Sequence, residues 1–221
     1  MTYDVGTDSM KYMKARFLIL ASLMVILLSV AATVQDYFFG DLYLARAIQE
    51  IRISPWENTM EAVSTIGRGP HMVIMALTLF GWFLWRRQRA EYIVLGGALI
   101  GLTVNPLLKF LVDRPRPTED LVMIWKDPAG AGFPSGHAAT AMILFGLIYY
   151  LAPIIFPWKR AVSLLRLSSS MLILLICISR VYLGAHWPSD VVGGFLVGSI
   201  ILTLLIHLHH QYRPQIEPSR A

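Results

Sequence analysis

Three short clusters in this chain hold residue types suited to phosphoryl chemistry. The first joins Lys109 to Arg116 and Pro117. The second is Pro134, Ser135, Gly136 and His137. The third runs from Ser179 and Arg180 to His186 and Asp190. Lys109, Arg116 and Arg180 are three cations set against apolar sequence. Cations there are costly unless paired or solvated, which points to an anionic partner. A guanidinium fork binds two phosphate oxygens at once, and Lys adds a point charge. Three cations match the charge that a transferred phosphoryl group spreads over its equatorial oxygens. Ser135 and Gly136 open a helix: Ser is a good N-cap, and Gly lets a ligand approach the backbone. The free N–H groups of that first turn then aim at an anion.

Two histidines supply the remaining roles, a nucleophile for phosphorus and an acid for the leaving oxygen. His186 is the better nucleophile because Asp190 follows four residues later. With Pro188 opening a helix, Asp190 falls in its first turn and reaches back to His186. A carboxylate on one ring nitrogen fixes the tautomer and frees the other nitrogen to attack. His137 has no such neighbour and takes the acid role. Each cluster alone has a plainer reading: a snorkelling cation, a helix cap, a structural hydrogen bond. Their ordered conjunction is what favours chemistry. Arg114 either pairs with Asp113 or touches the edge of the ligand.

The elements that must position these clusters are written in the composition. The chain has 221 residues, enough for one domain over 1–221, with 56% hydrophobic and 15% charged residues. Mean hydropathy is +0.57. A soluble domain carries about a quarter charged residues, so the bilayer is the expected solvent. The net charge of +5 comes without a basic run, which argues against a nucleic-acid partner. Six apolar segments approach the roughly 20 residues that span a bilayer: about 17–34, 70–85, 92–112, 137–155, 167–183 and 188–207. The first is long for a signal peptide, despite a small-x-small pattern at Ser29 to Ala31, and is expected to be retained.

Charge sets the orientation. With the N-terminus cytoplasmic, the inner pieces hold eleven of the 19 cations and the outer pieces eight. Lys11, Lys14 and Arg16 flank the first segment; Arg86, Arg87 and Arg89, then Lys159, Arg160 and Arg166, fill the inner loops. The outer pieces include Arg46, Arg52, Arg68 and Lys126, and Arg213 and Arg220 lie in the cytoplasmic tail. All three clusters then face outward. In the first outer loop, Leu42, Leu44, Ala45, Ala47, Ile48 and Ile51 fall near one helical face. This is a short amphipathic helix, either at the membrane interface or packed on the bundle.

On these residues the chain resembles the type 2 phosphatidic acid phosphatase superfamily. Its signature is Lys-x6-Arg-Pro, Pro-Ser-Gly-His and Ser-Arg-x5-His-x3-Asp, and every signature position is matched. The resemblance implies phosphate binding by Lys109, Arg116, Ser135, Gly136 and Arg180. It implies His137 as acid, His186 as nucleophile and Asp190 as its orienting partner. It also implies a phosphohistidine intermediate with no metal or other cofactor. Polyprenyl pyrophosphate, phosphatidylglycerol phosphate and phosphatidic acid are the expected lipid substrates, with a slight lean to the first on family analogy. The alternatives are a lipid-to-lipid phosphotransferase and a non-catalytic membrane binding or transport protein.

The expected fold is an all-α integral membrane protein, a six-transmembrane-helix bundle with a short extracytoplasmic amphipathic helix. His207, His209 and His210 are expected in a solvated interfacial tail, and His71 at a span end. Trp82, Trp85 and Trp187 are expected as interfacial anchors. Cys177, the single cysteine, is expected as a small buried hydrophobe. Gly96, Gly97, Gly101, Gly193, Gly194 and Gly198 suit close helix packing.

Overall fold

Apolar sequence in a solvent without hydrogen-bond partners must satisfy its backbone internally, so it folds as helix. The computed structural model describes residues 5–51, 53–125 and 130–216, and among these every regular element is a helix. The charges of Arg52, Lys126 and Arg220 lie outside the described residues. The long helices are α1 (Val5–Ala32), α7 (Gly136–Ile155), α8 (Lys159–Tyr182) and α9 (Pro188–Ile216). Each contains a stretch long and apolar enough to cross a bilayer. So does Arg89–Val112, which holds α5 (Arg89–Gly101) and α6 (Val104–Val112). Helix α4 (Gly69–Trp85) is apolar but has 17 residues. At 1.5 Å per residue it is about 26 Å long, slightly under a ~30 Å hydrocarbon core.

Several helices run past the ends of the apolar segments. Helix α8 begins at Lys159 rather than near Leu167, and α9 continues to Ile216 rather than ending near His207. Long basic side chains can ride on a helix while their heads reach polar surroundings. Arg166 does so by lying over the Tyr149 ring, 5.1 Å from its centroid. The third segment is broken between α5 and α6. Pro106 lacks an N–H, and its ring would clash with the carbonyl four residues back, at Leu102. Beyond the break, α6 carries Asn105 and Lys109.

Two helices fill the first outer loop. Helix α2 (Asp41–Gln49) packs on α8 and α9, burying Asp41, Ala45 and Gln49 and exposing Tyr43 and Leu44. Helix α3 (Ser54–Ile66), which the sequence reading did not anticipate, lies on α8. It buries Met60, Val63 and Ser64 at helical spacing.

Helix α7 is the centre of the bundle, in contact with α4, α5, α6, α8 and α9. Its Ile143, Leu144 and Leu147 are almost wholly buried against Val94, Leu95, Ile176 and Leu202. Helix α9 can approach because of its glycines. A Cβ at Gly194 would collide with the Ser135 carbonyl, and one at Gly198 would come 2.7 Å from the Ala139 carbonyl oxygen. Gly96 is the exception among the expected packing glycines, since a Cβ there meets nothing nearer than 3.7 Å. Cys177 is half-buried and packs against two of the apolar clusters.

The far end of α9 also departs from expectation. His207 and His210 are exposed, but His209 is fully buried. Its Nδ1 shares a hydrogen bond with the Tyr150 hydroxyl at 2.8 Å, and its Nε2 lies 3.5 Å from buried Glu91. The group joins α5, α7 and α9, a demand for polar partners inside apolar helices that overrides the pull of solvent. Glu91→Ala is expected to cost about 1–3 kcal/mol by leaving a buried polar partner unsatisfied. Thermal unfolding in detergent checks this; an unchanged Tm would contradict it.

Candidate active site

The turn between α8 and α9 builds the centre. Gly184 takes φ +68 there, a left-handed backbone suited to glycine, and a Cβ would strike the Met123 carbonyl. The tight turn, followed by Pro188 opening α9, brings His186 and Asp190 face to face. Nδ1 of His186 is 3.4 Å from Oδ2 of Asp190, and both residues are essentially inaccessible. On the other side of the ring, Arg116 donates toward Nε2 at 3.2 Å. That pairing fits a neutral ring with its proton on Nδ1 and a lone pair on Nε2. Burial, and then the charges of Arg116, Lys109 and Arg180, hold the His186 pKa well below the ordinary imidazole value.

The cations arrive from three elements. Lys109, on α6, donates to the Ala131 carbonyl. Arg116 follows α6 and donates to the carbonyls of Gly130 and Ala185, each at 2.7 Å. Arg180, near the end of α8, donates from Nη1 to Ser64 of α3. Ser135 and Gly136 sit at the start of α7. The Ser135 backbone donates to the Asp190 carbonyl at 2.9 Å, and Asn105 donates to the Pro134 carbonyl at 3.3 Å. These ties fix the α7 N-terminus against α6 and α9, with its first-turn N–H groups lacking intrahelical partners.

Ser135 occupies the N-cap position, but its side chain makes no capping bond. Its hydroxyl is among several buried polar atoms here without a hydrogen-bond partner, together with Nε2 of His137, Nε of Arg180, Oδ1 of Asn105, Nε1 of Trp187 and Nδ1 of His186, which meets Asp190 only as an ion-pair neighbour. Buried polar groups are nearly always satisfied, so a convergent orphaned set marks a place for a ligand. A cavity of about 600 Å³ opens beside it between α4, α6 and α7. Its walls pass from Val73, Leu102 and Phe110 to Lys109, Gly136 and His137.

A family model, the PAP2 superfamily, matches residues 90–214, more than half of the chain. This chain belongs to the PAP2 superfamily. The match includes every residue of the three signature clusters. Relatives of this PAP2 protein are lipid phosphatases, hydrolases of phosphate esters, and it is a hydrolase of that kind. Phosphatidylglycerophosphatase B of Bacillus subtilis is 27% identical over 172 residues, covering 75% of this chain and 81% of the relative. Decaprenylphosphoryl-5-phosphoribose phosphatase of Mycobacterium tuberculosis is 32% identical, covering 58% and 66%. Dolichyldiphosphatase of Saccharomyces cerevisiae is 32% identical, covering 58% and 56%. The fold matches the crystal structure of a transmembrane PAP2-type phosphatidylglycerolphosphate phosphatase from Bacillus subtilis. The TM-score is 0.78 at 22% identity, over 89% of this chain and 98% of that one. With its apolar helices, that fold makes this a membrane protein.

The structure brings Arg116, His186 and Asp190 into contact and sets Lys109, Gly136 and His137 on one cavity. It corrects the neighbours. Arg114 pairs with neither Asp113 nor open space: it is fully buried between Asp190 and Asp41. Trp187 is no interfacial anchor. It is 1% exposed and packs among Tyr37, Ala45, Val122 and Val191, because the turn directs it inward under α2. Asp41, Ser64 and Ser189 were missed; only their contacts across the fold reveal them.

Proposed function

We propose that this PAP2 protein hydrolyses a phosphomonoester or pyrophosphate on a lipid through a phosphohistidine on His186. Nε2 attacks phosphorus, and the bond to the leaving oxygen breaks as His137 supplies that oxygen with a proton. Water then attacks the phosphorylated ring, giving its proton to His137. The N–P bond breaks and phosphate leaves. Lys109, Arg116, Arg180, the Ser135 hydroxyl and the backbone at Gly136 hold the phosphoryl oxygens throughout. The observation that carries this reading is the His186 ring itself. It is buried, with Asp190 behind Nδ1 at 3.4 Å and the Arg116 guanidinium at Nε2 at 3.2 Å. The cations take the charge-stabilising part that a metal plays elsewhere, so no metal or cofactor is invoked.

The charge distribution supports six spans, with α4 the shortest, cytoplasmic termini and the site on the extracytoplasmic face. Helix α2 then lies on that face with Tyr43 and Leu44 toward the interface. The apolar walls of the cavity suit a lipid tail that stays in the bilayer while its head reaches the cations.

Arg68 bears on the substrate. It precedes α4 between Gly67 and Gly69, which both line the cavity, and it is exposed. Its neighbour Gly67 lies against the His137 ring, where a Cβ would come 3.1 Å from Cδ2. A cation beside the proposed acid favours a leaving group that is itself an anion. A polyprenyl diphosphate or phosphatidylglycerol phosphate leaves such a group; phosphatidic acid leaves a neutral one. A panel of these lipids, read by released phosphate, tests the reading. Arg68→Gln should raise KM about tenfold for the first two, the loss of roughly one charge-assisted contact. For phosphatidic acid the change should stay within about twofold. Equal changes on all three would remove Arg68 from substrate choice. Labelled phosphate passing to a lipid acceptor without free phosphate would replace hydrolysis by transfer.

A further inference from the structure

We propose that Asp41 and Arg114 are positioning residues whose charges cancel, leaving the negative charge of Asp190 available to His186. The proposal rests on His186 as nucleophile. It begins with how the two oxygens of Asp190 are divided. Oδ1 accepts from Nη1 of Arg114 at 2.6 Å. Oδ2 accepts the Trp187 N–H at 3.0 Å and faces His186 Nδ1 at 3.4 Å. Arg114 in turn is held from several sides. Its Nη2 reaches Oδ2 of Asp41 at 3.2 Å, Nη1 reaches the Ser189 hydroxyl at 2.8 Å, and Nε reaches the Gln35 carbonyl at 3.2 Å. The Phe38 ring covers it, 4.2 Å away.

Asp41 is held as firmly. It accepts the Phe38 and Ser189 N–H groups at 2.8 and 2.9 Å and the Ser189 hydroxyl at 2.6 Å. Asp41, Arg114, His186 and Asp190 are all buried, with exposures of 4%, 0%, 2% and 0%. Burial makes the charge count matter, because attraction and repulsion are little screened there. With His186 neutral, the group of four carries one cation and two anions.

A lone Arg114 would neutralise Asp190, and the ring would face a compensated ion pair. Asp41, brought in by α2, takes up that positive charge instead. One negative charge then remains beside Nδ1. When the Nε2–P bond forms and the leaving oxygen departs with the proton from His137, the ring keeps its Nδ1 proton and becomes cationic. The group of four is then neutral. When water breaks the N–P bond, the ring returns to neutrality. The arrangement thus favours the charge that develops in the first step. Anchoring Arg114 structurally would need only neutral acceptors, and a second buried carboxylate is a costly way to provide one.

The test compares Asp41→Asn, Ser189→Ala, Arg114→Gln and the Asp41→Asn/Arg114→Gln double variant in the full-length protein. Readouts are kcat, KM and the rate of labelling by 32P-lipid phosphate. Asp41→Asn should lower kcat and the labelling rate together, on the order of 10- to 100-fold. KM should stay within about twofold, since neither residue meets substrate. Ser189→Ala removes hydrogen bonds but no charge and should cost at least about fivefold less than Asp41→Asn. Arg114→Gln leaves two uncompensated carboxylates. Adding Asp41→Asn to it restores the single negative charge and should recover about tenfold in kcat.

A purely structural network makes the opposite prediction: the double variant is worse than Arg114→Gln. That result overturns the proposal, as does Ser189→Ala matching Asp41→Asn. If Arg114→Gln does not fold, the Asp41→Asn and Ser189→Ala comparison decides alone. Failure of the parent reading looks different: the wild-type protein itself would form no phosphohistidine. Wild-type labelling with unchanged kcat and labelling rate in Asp41→Asn overturns the charge pairing only.

Discussion

His186→Ala should abolish release of phosphate from lipid substrate, lowering kcat by at least about 10⁴-fold. Without Nε2 there is no atom placed to attack phosphorus, and the cations remain to bind a substrate that does not react. Binding of inorganic phosphate should therefore persist in the variant, with Kd within about threefold of the parent. The fold should persist as well. Asp190 keeps its contacts with Arg114 and the Trp187 N–H, so removing the ring strands no buried charge without a partner. Phosphate release in detergent, beside a binding isotherm for phosphate, checks both halves. A variant with near-normal turnover would remove His186 from the chemistry.

The second large effect is on His137, and it depends on the leaving group. His137→Ala should cost about 10²–10⁴-fold on a lipid monoester, whose departing alkoxide needs a proton. On p-nitrophenyl phosphate, whose leaving group departs without one, the cost should be below about tenfold. A lipid diphosphate should fall between, because phosphate is a better leaving group than an alkoxide. The structural motive is the His137 Nε2, buried and without a partner beside the cations that surround His186. Equal losses on all three substrates would make His137 a binding or structural residue instead.

Legibility in the sequence followed the range of each interaction. His186 and Asp190 share one turn, so a four-residue spacing exposed their contact. Lys109 and Arg116 sit at either side of one helix end, and Ser135 to His137 form one helix start. Such local relations survive in sequence. Asp41 meets Ser189, and Ser64 meets Arg180, across more than a hundred residues of chain. Those contacts exist only once α2 and α3 have docked on the bundle. Arg114 was misjudged for the same reason: Asp113 is its neighbour in sequence, but two carboxylates from α2 and α9 enclose it. His209 was placed in solvent because its partners, Glu91 and Tyr150, lie on other helices.

Other features carried a local signal. Pro106 marked the break between α5 and α6 through its missing N–H. Pro55 in a first turn, with Met60 and Val63 at helical spacing beyond it, marked α3. Helix ends are less legible than apolar segments. Basic residues close the apolar segment but not the helix, since α8 carries Lys159, Arg160 and Arg166 within it.

The central claim is a phosphoryl group on His186. The direct measurement is a rapid alkaline quench of the wild-type protein turning over 32P-labelled lipid phosphate, followed by peptide mapping of the label. The account predicts label that is stable in alkali, lost in acid, carried by the peptide containing His186, and absent from His186→Ala. An active protein that never carries label, or one whose label maps to another residue, would contradict it.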